Sequence, residues 1–355
     1  MKGNSRLFLE ELITTPSPSG NEAEIQNVFY KNVNKYCDEV MSDHAGNVTA
    51  VINPDHEFKV LIAAHCDEIA FVVQYITDDG MIHVKKSGGI KQVLALGKTV
   101  KVMGYGGVLS GVVGTSVEMK NDGSSEVKIE DVYIDVGAKA KEELRDIVRV
   151  GDYIVYKDSY QYMLNETIAG RALDNRTGVY VIGELIKALS VNKPDVGVYA
   201  ASTVNEETNL YGAYTIAELV KPDIAIVCDV TFATDYPDNA KAKNGDVKLG
   251  QGPVISFGSL INKKVNERLI KISEEHNISI QHELTPSLTG TDADKISFTN
   301  AGVPSALVSI PLRYMHSPNE VVSLNDLDQC VSLLKAFIKS LDTDFETKPF
   351  KIEIS

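Results

Sequence analysis

Five residues of the types that bind divalent cations, His65, Asp174, Glu207, Asp229 and His316, each stand in an apolar context broken by turn signals. A sixth, Glu206, sits directly beside one of them. Two histidines and three carboxylates are what two divalent cations need when one carboxylate bridges them. A spare carboxylate beside such a site is what an attacking water needs as a base. The combination points to hydrolysis at a dinuclear centre, most simply of an amide bond.

Each residue has a bland reading as well. His65 and Asp67 lie in AAHCDE, where the histidine follows an apolar strand. Residues i and i+2 of an extended segment share a face, so Asp67 can accept the second ring N–H of His65 and fix its tautomer; alone, the pair would also suit a surface turn. Asp174, in GRALDNRTGVYV, precedes a helix and could equally be its N-cap or a bridging carboxylate. Glu206 and Glu207, in STVNEETN, follow an apolar strand. Packing does not explain two adjacent glutamates there, whereas one could bind a cation while the other faces the water. A glycosidase pair is disfavoured, because its carboxyls must flank one bond about 5–10 Å apart. Asp229 ends the apolar run DIAIVCD, and His316, in PLRYMHSPNE, follows another strand. All five ligand candidates therefore share one address, the edge of a sheet where strands end and helices begin, which is where ligands gather in open α/β sheets. His44, His56, His83, His276 and His282 lack such settings and read as surface or loop residues.

The elements that must position these residues can be read from periodicity. Helices are expected over 5–13, 22–36, 177–189, 212–219, 262–276 and 324–341, and strands over 48–52, 59–64, 195–203, 224–230 and 303–310. The nearly all-apolar KVLIAA before His65 suits a central strand covered on both faces. From about residue 72 to 165 the texture changes to short alternating runs such as MIHVKK, GVLSGVVG and VKIEDVYIDVG, punctuated by glycine, with one helical interruption near 140–145. The expected organisation is an α/β domain formed by 1–71 and 166–355, interrupted at 72–165 by a small β-barrel or sandwich.

The formal net charge of −14 argues against nucleic-acid binding, which needs a basic footprint. Cys37, Cys66, Cys228 and Cys330 are scattered without a C-x-x-C pair and read as small buried hydrophobes in a reducing compartment. The N-terminal Met1-Lys2-Gly3-Asn4 leads into an amphipathic pattern with no apolar signal core, and no run reaches transmembrane length. A cytoplasmic protein without membrane partners is expected.

Across nearly its whole length the chain resembles the glutamyl aminopeptidase and tetrahedral aminopeptidase family of metallopeptidases. The likeness runs through TPSPSGNE, AAHCDEIAFVV, GRALDNRTG, VNEETNLYGA, CDVTFATDYP, GDVKLGQGPVI, TGTDADKI and PLRYMHSPNE. It implies a three-layer phosphorylase/hydrolase-like catalytic domain with a mixed central sheet, interrupted by a barrel used for oligomerisation. It also implies two zinc or cobalt ions, one held by His65 and Asp229, the other by Glu207 and His316, with Asp174 bridging. Glu206 would be the general base and Asp67 the partner of His65. Substrates would be peptides with a free N-terminus, and the assembly a dimer or a tetrahedral dodecamer. The sequence departs from the family pattern at Asn205, Asn209 and Tyr211, which flank the glutamate pair, and near Gly258. Tyr211, Arg313 and Tyr314 are candidates for the substrate-pocket rim. The long interval between His65 and Asp174 matches an aminopeptidase insertion; related carboxypeptidases and deacylases place a lid domain later. A dinuclear deacylase or carboxypeptidase is the alternative enzyme, and a catalytically silent oligomeric scaffold the alternative outside enzymology.

Overall fold

The computed structural model describes residues 3–117, 126–348 and 350. Residues 1–2 of the N-terminal segment, 118–125 of the expected insertion and the end of the expected 166–355 segment lie outside them. The strands, in chain order, are β1 (Glu39–Ser42), β2 (Val48–Ile52), β3 (Lys59–His65), β4 (Ala70–Ile76), β5 (Ile82–Ser87), β6 (Thr99–Gly104), β7 (Gly107–Thr115), β8 (Val132–Asp135), β9 (Tyr153–Tyr156), β10 (Tyr160–Met163), β11 (Thr167–Gly170), β12 (Gly197–Thr203), β13 (Ile224–Phe232), β14 (Val254–Phe257), β15 (Gln281–Leu284), β16 (Ser305–Arg313) and β17 (Glu320–Ser323).

They form a large mixed sheet and a closed barrel. The sheet has 11 strands and runs β1-β2-β12-β3-β13-β16-β17-β11-β10, with β14 attached to β16 and β15 to β14. Its centre, β12, β3, β13 and β16, is parallel. β2, β14 and β17 pair antiparallel at the flanks. The apolar run of β3 is explained by coverage on both faces: Val60, Ile62 and Ala64 point into one core, Leu61 and Ala63 into the other. The first core is closed by the helices Asn4–Thr14, Ala23–Val33, Leu173–Ser190, Lys263–Glu275 and Leu324–Lys339, which contribute Phe8, Phe29, Leu185, Leu269 and Leu334. The second is thinner and is closed by Tyr211–Val220 and Ala293–Ile296 through Ala213, Ile216, Ala293 and Ile296. Each such fully buried Leu, Ile or Phe contributes roughly 1.5–3 kcal/mol, so the three layers are held chiefly by this packing.

The chain leaves the large sheet after β3 and returns at β10. Between them β4-β5-β8-β7-β6-β9 close into an all-antiparallel six-stranded barrel. Phe71, Val84, Val102, Val113, Ile134 and Ile154 fill it as a separate core. Closure leaves no open edge, which is how so small a sheet avoids pairing with other chains.

The long helices lie where periodicity places them, to within about a turn at either end. β1, β11, β14, β15 and β17 were not legible; each has only four residues, too few for an alternation to show. The helical interruption expected near 140–145 is a single 3₁₀ turn, Lys141–Leu144, and a further short helix, Gln92–Ala95, also lies among the barrel strands. No disulfide joins the cysteines; Cys66, Cys228 and Cys330 are buried, while Cys37 is only half-buried. No helix among the described residues is long and apolar enough to cross a membrane.

Candidate metal centre

Strand alternation brings the first ligand candidates together. The face that carries Leu61 and Ala63 on β3 carries His65 next, and the face that carries Ala225 and Val227 on β13 carries Asp229 next. β3 and β13 are in parallel register, as are β13 and β16, where Asp229 stands opposite Ser309. Where the thin helical layer runs out, these polar residues face a cavity of about 630 Å³. Asp229 is not at its strand's end, as the apolar run suggested: β13 continues through Thr231 to Phe232, because β16 keeps pairing with it.

Asp174 precedes the regular helix. Its backbone (φ −76°, ψ 108°) and that of Asn175 (φ −118°, ψ 40°) are not helical, and the peptide bond between them is cis. Asn175 pins this turn to β13: its Nδ2 donates to the Cys228 carbonyl at 2.9 Å and its Oδ1 accepts the Gly178 N–H at 3.0 Å. Gly178 must be glycine, since a Cβ there would stand 2.6 Å from the Cys228 carbonyl oxygen. Glu320 on β17 ties the turn to the loop after β16. One of its oxygens accepts the Asp174 N–H at 3.0 Å and the other the His316 N–H at 2.8 Å. His316 itself has a left-handed backbone (φ 61°).

Asp67, fully buried, organises the other side. Its Oδ1 accepts the Glu206 N–H at 3.0 Å; its Oδ2 accepts the Glu207 N–H at 3.2 Å and the Ser19 hydroxyl at 2.6 Å. The two glutamates open the short turn Glu206–Asn209, and Asp67 therefore caps their backbone while their side chains turn into the cavity. His65 Nδ1 lies 3.4 Å from Asp67 Oδ1 and makes no well-aligned hydrogen bond elsewhere.

The resulting geometry is two clusters sharing one wall. His65, Glu206 and Asp229 form one; Asp174, Glu207 and His316 form the other; within each, one ligand atom per residue lies within 4.8 Å of the rest. His65 Nε2 is 3.2 Å from Asp174 Oδ1, and His316 Nε2 is 3.2 Å from Asp174 Oδ2. His65 Nε2 is also 3.7 Å from both Glu206 Oε2 and Asp229 Oδ1, and His316 Nε2 is 3.5 Å from Glu207 Oε2. Four carboxylates thus converge with no lysine or arginine paired to them among the described residues. Burial, and then mutual repulsion, pushes Glu206 and Glu207 well above the usual carboxylate range and Asp229 up to about 8. Burial opposes charge on His65, yet Glu206, Asp174 and Asp229 raise it well above its ordinary value. For Asp174 burial works upward, but hydrogen bonds from His316 and His65 win and hold it below its usual range. Glu207 Oε1 is buried with no donor at all. Its histidine nitrogens and carboxylate oxygens, one of them buried without a donor, are the donor set that divalent ions take.

Tyr211, Arg313 and Tyr314 do not line the cavity. Arg313 is held instead by Asp235 at 2.6–2.7 Å, Tyr314 packs against the Tyr236 ring, and Tyr211 is half exposed outside. His83 and His282 sit within β5 and β15, His83 half-buried and His282 at the surface. Sequence reasoning missed Glu320, which lies in the quoted HSPNE, and Asp292 of TGTDADKI, whose carboxylate accepts the Thr203 hydroxyl at 2.5 Å. It also missed Gly89, after β5, whose missing Cβ leaves room for the His316 ring. None carries a local pattern that separates it from a loop residue.

Comparison with known proteins finds aminopeptidases. The family model for M42 glutamyl aminopeptidase matches residues 46–333. The chain is 31% identical over 341 residues to a lysyl aminopeptidase of Pyrococcus furiosus, covering 94% of this chain and 96% of that one. A TET aminopeptidase from the marine sediment archaeon Thaumarchaeota archaeon SCGC AB-539-E09 superposes with a TM-score of 0.91 at 30% identity, over 96% of this chain and 97% of that one. The TET1 peptidase of Pyrococcus horikoshii, which can assemble into a tetrahedron or a large octahedral shell, has a TM-score of 0.85 at 30% identity, over 95% of this chain and all of that one.

Proposed function

This chain belongs to the M42 glutamyl aminopeptidase family, and we propose that it removes N-terminal residues from peptides at a centre of two divalent ions, zinc or cobalt. His65 and Asp229 would hold one ion, Glu207 and His316 the other, with Asp174 between them. The observation that carries this reading is Asp174 itself, which turns one oxygen to each histidine at the same 3.2 Å. When bound, the ions supply Lewis acidity to the scissile carbonyl and a water made nucleophilic near neutral pH. Glu206, beside His65 and Asp229, takes the proton of the attacking water and delivers it to the departing amine. Asp67 fixes where Glu206 and Glu207 start and orients His65. A peptide's free α-amine would bind at this end of the cavity, which limits cleavage to the first residue. Self-association, to a dimer or to a tetrahedral dodecamer, is supported by the Pyrococcus horikoshii TET1 peptidase, which can assemble into a tetrahedron. Exposed Tyr105, Val108 and Val112 on the barrel would serve as contacts. The reducing cytoplasm suits the free cysteines.

The test is a panel of aminoacyl-p-nitroanilides presented with free and with N-acetylated α-amines. Cleavage of the free series alone is expected. Preference for the acetylated series would replace this reading with a dinuclear deacylase.

A further inference from the structure

Family membership leaves open which first residue is removed: the family is described by a glutamyl activity and one relative by a lysyl one. The cavity contains a carboxylate that the hydrolytic machinery does not use. Glu283, on β15, lines it together with the ligand cluster. Three hydroxyls fix its position: Ser256 and Ser309 donate to Oε1, the latter at 3.1 Å, and Thr231 donates to Oε2. All three are donors, so the side chain is held as an acceptor. No lysine, arginine or histidine pairs with it among the described residues.

Its place is set by register. Ser256 stands opposite Glu283 across β14 and β15, and Ser309 stands opposite Asp229 across β16 and β13. Thr231 lies two residues beyond Asp229 on the same face, about 7 Å along the strand. The Glu283 carboxylate, bonded to both, is therefore one side-chain length from the cluster. A substrate whose scissile bond lies at the cluster must send its first side chain along this cavity. A four-carbon stem ending in an ammonium spans that interval and ends on an unneutralised carboxylate.

We propose that Glu283 is the specificity determinant of this site and that the chain removes N-terminal lysine and arginine. This rests on the aminopeptidase reading above. An acidic first residue would meet Glu283 as a like charge with no cation to offset it. An aliphatic one would leave the carboxylate stripped of water and without a cation.

Steady-state kinetics on lysyl and norleucyl p-nitroanilides, matched in stem and differing in the ammonium, test this directly, with leucyl and glutamyl substrates alongside. In the metal-loaded wild-type protein kcat/KM should favour lysine over norleucine by at least about 10-fold. In Glu283→Gln the lysine-to-norleucine ratio should fall by about 10-fold or more, towards unity. A wild-type preference for norleucine or glutamate would overturn the proposal whether or not the variant folds. So would an equal loss on all substrates in Glu283→Gln, which would assign Glu283 to the framework or to the α-amine. No cleavage of any unblocked substrate would overturn the aminopeptidase reading, and this proposal with it.

Discussion

Asp67→Asn is the substitution that best separates positioning from ligation, because Asp67 reaches no proposed ion yet contacts three residues that matter. Its Oδ1 faces the Glu206 N–H at 3.0 Å and His65 Nδ1 at 3.4 Å; its Oδ2 faces the Glu207 N–H at 3.2 Å and the Ser19 hydroxyl at 2.6 Å. An amide keeps the shape but offers acceptance on one side only. Whichever way it turns, one pair of contacts is lost and an NH₂ is set against a donor. Hydrogen bonds to a charged acceptor contribute about 1.5–3 kcal/mol each, so roughly 3–6 kcal/mol is withdrawn from the turn that aims the glutamates or from the imidazole. Part of that loss will appear as lowered stability. The remainder should weaken metal affinity by about 10–100-fold, the usual effect of removing a group that orients a ligand. The assay is chelator-competition titration of the variant, followed by kcat at saturating metal. A kcat that stays depressed when both ions are restored locates the damage at Glu206. Metal affinity and kcat both within about threefold of wild type would refute the role given to Asp67.

Three further substitutions probe different parts of the account. Glu206→Gln should keep both ions, measured by metal analysis, and lose roughly 10²–10⁴-fold in kcat; substantial retained activity would reject it as the base. Glu68→Gln should cost about 3–5 kcal/mol in chemical denaturation, because it leaves the buried Arg176 without a carboxylate partner and Arg171 with Asp158 alone; a cost below about 1 kcal/mol would contradict the network's role. Burial pushes the Glu68 carboxyl up, but the two arginines outweigh it and hold it below its ordinary 4.5. The unfolded chain thus binds the proton more readily, and this stabilisation is complete above about pH 4.5 and lost as pH falls through the lower folded value. The variant should accordingly show a flatter acid limb. Gly89→Ala would place a methyl against the His316 ring. It should weaken one of the two ions by about 10-fold or more while the other binds normally, and two unchanged affinities in competition titration would refute that contact.

The central layers were legible because their signals are local and long. KVLIAA reads as a doubly covered strand, and the helices ending at Ser190 and Lys339 run for enough turns to show their period. His65, Asp174, Glu206, Glu207, Asp229 and His316 could be picked out because each follows an apolar strand or precedes a helix. What could not be read was the part fixed by tertiary register. Glu320 matters because β17 happens to lie between the Asp174 turn and the His316 loop. Glu283 matters because β14 and β15 attach to β16 opposite Asp229. Arg313, a candidate for the pocket rim, does not line the cavity for the same reason: its partner, Asp235, is brought to it by the fold and not by proximity in sequence.

The central claim is that two ions, joined by Asp174, are required for hydrolysis. Protein stripped by a chelator and titrated with zinc or cobalt, while cleavage of an unblocked aminoacyl-p-nitroanilide is followed, tests it most directly. Activity should be absent in the stripped protein and should rise to a plateau at two ions per chain. Turnover that survives stripping, or that is complete at one ion per chain, would contradict the account.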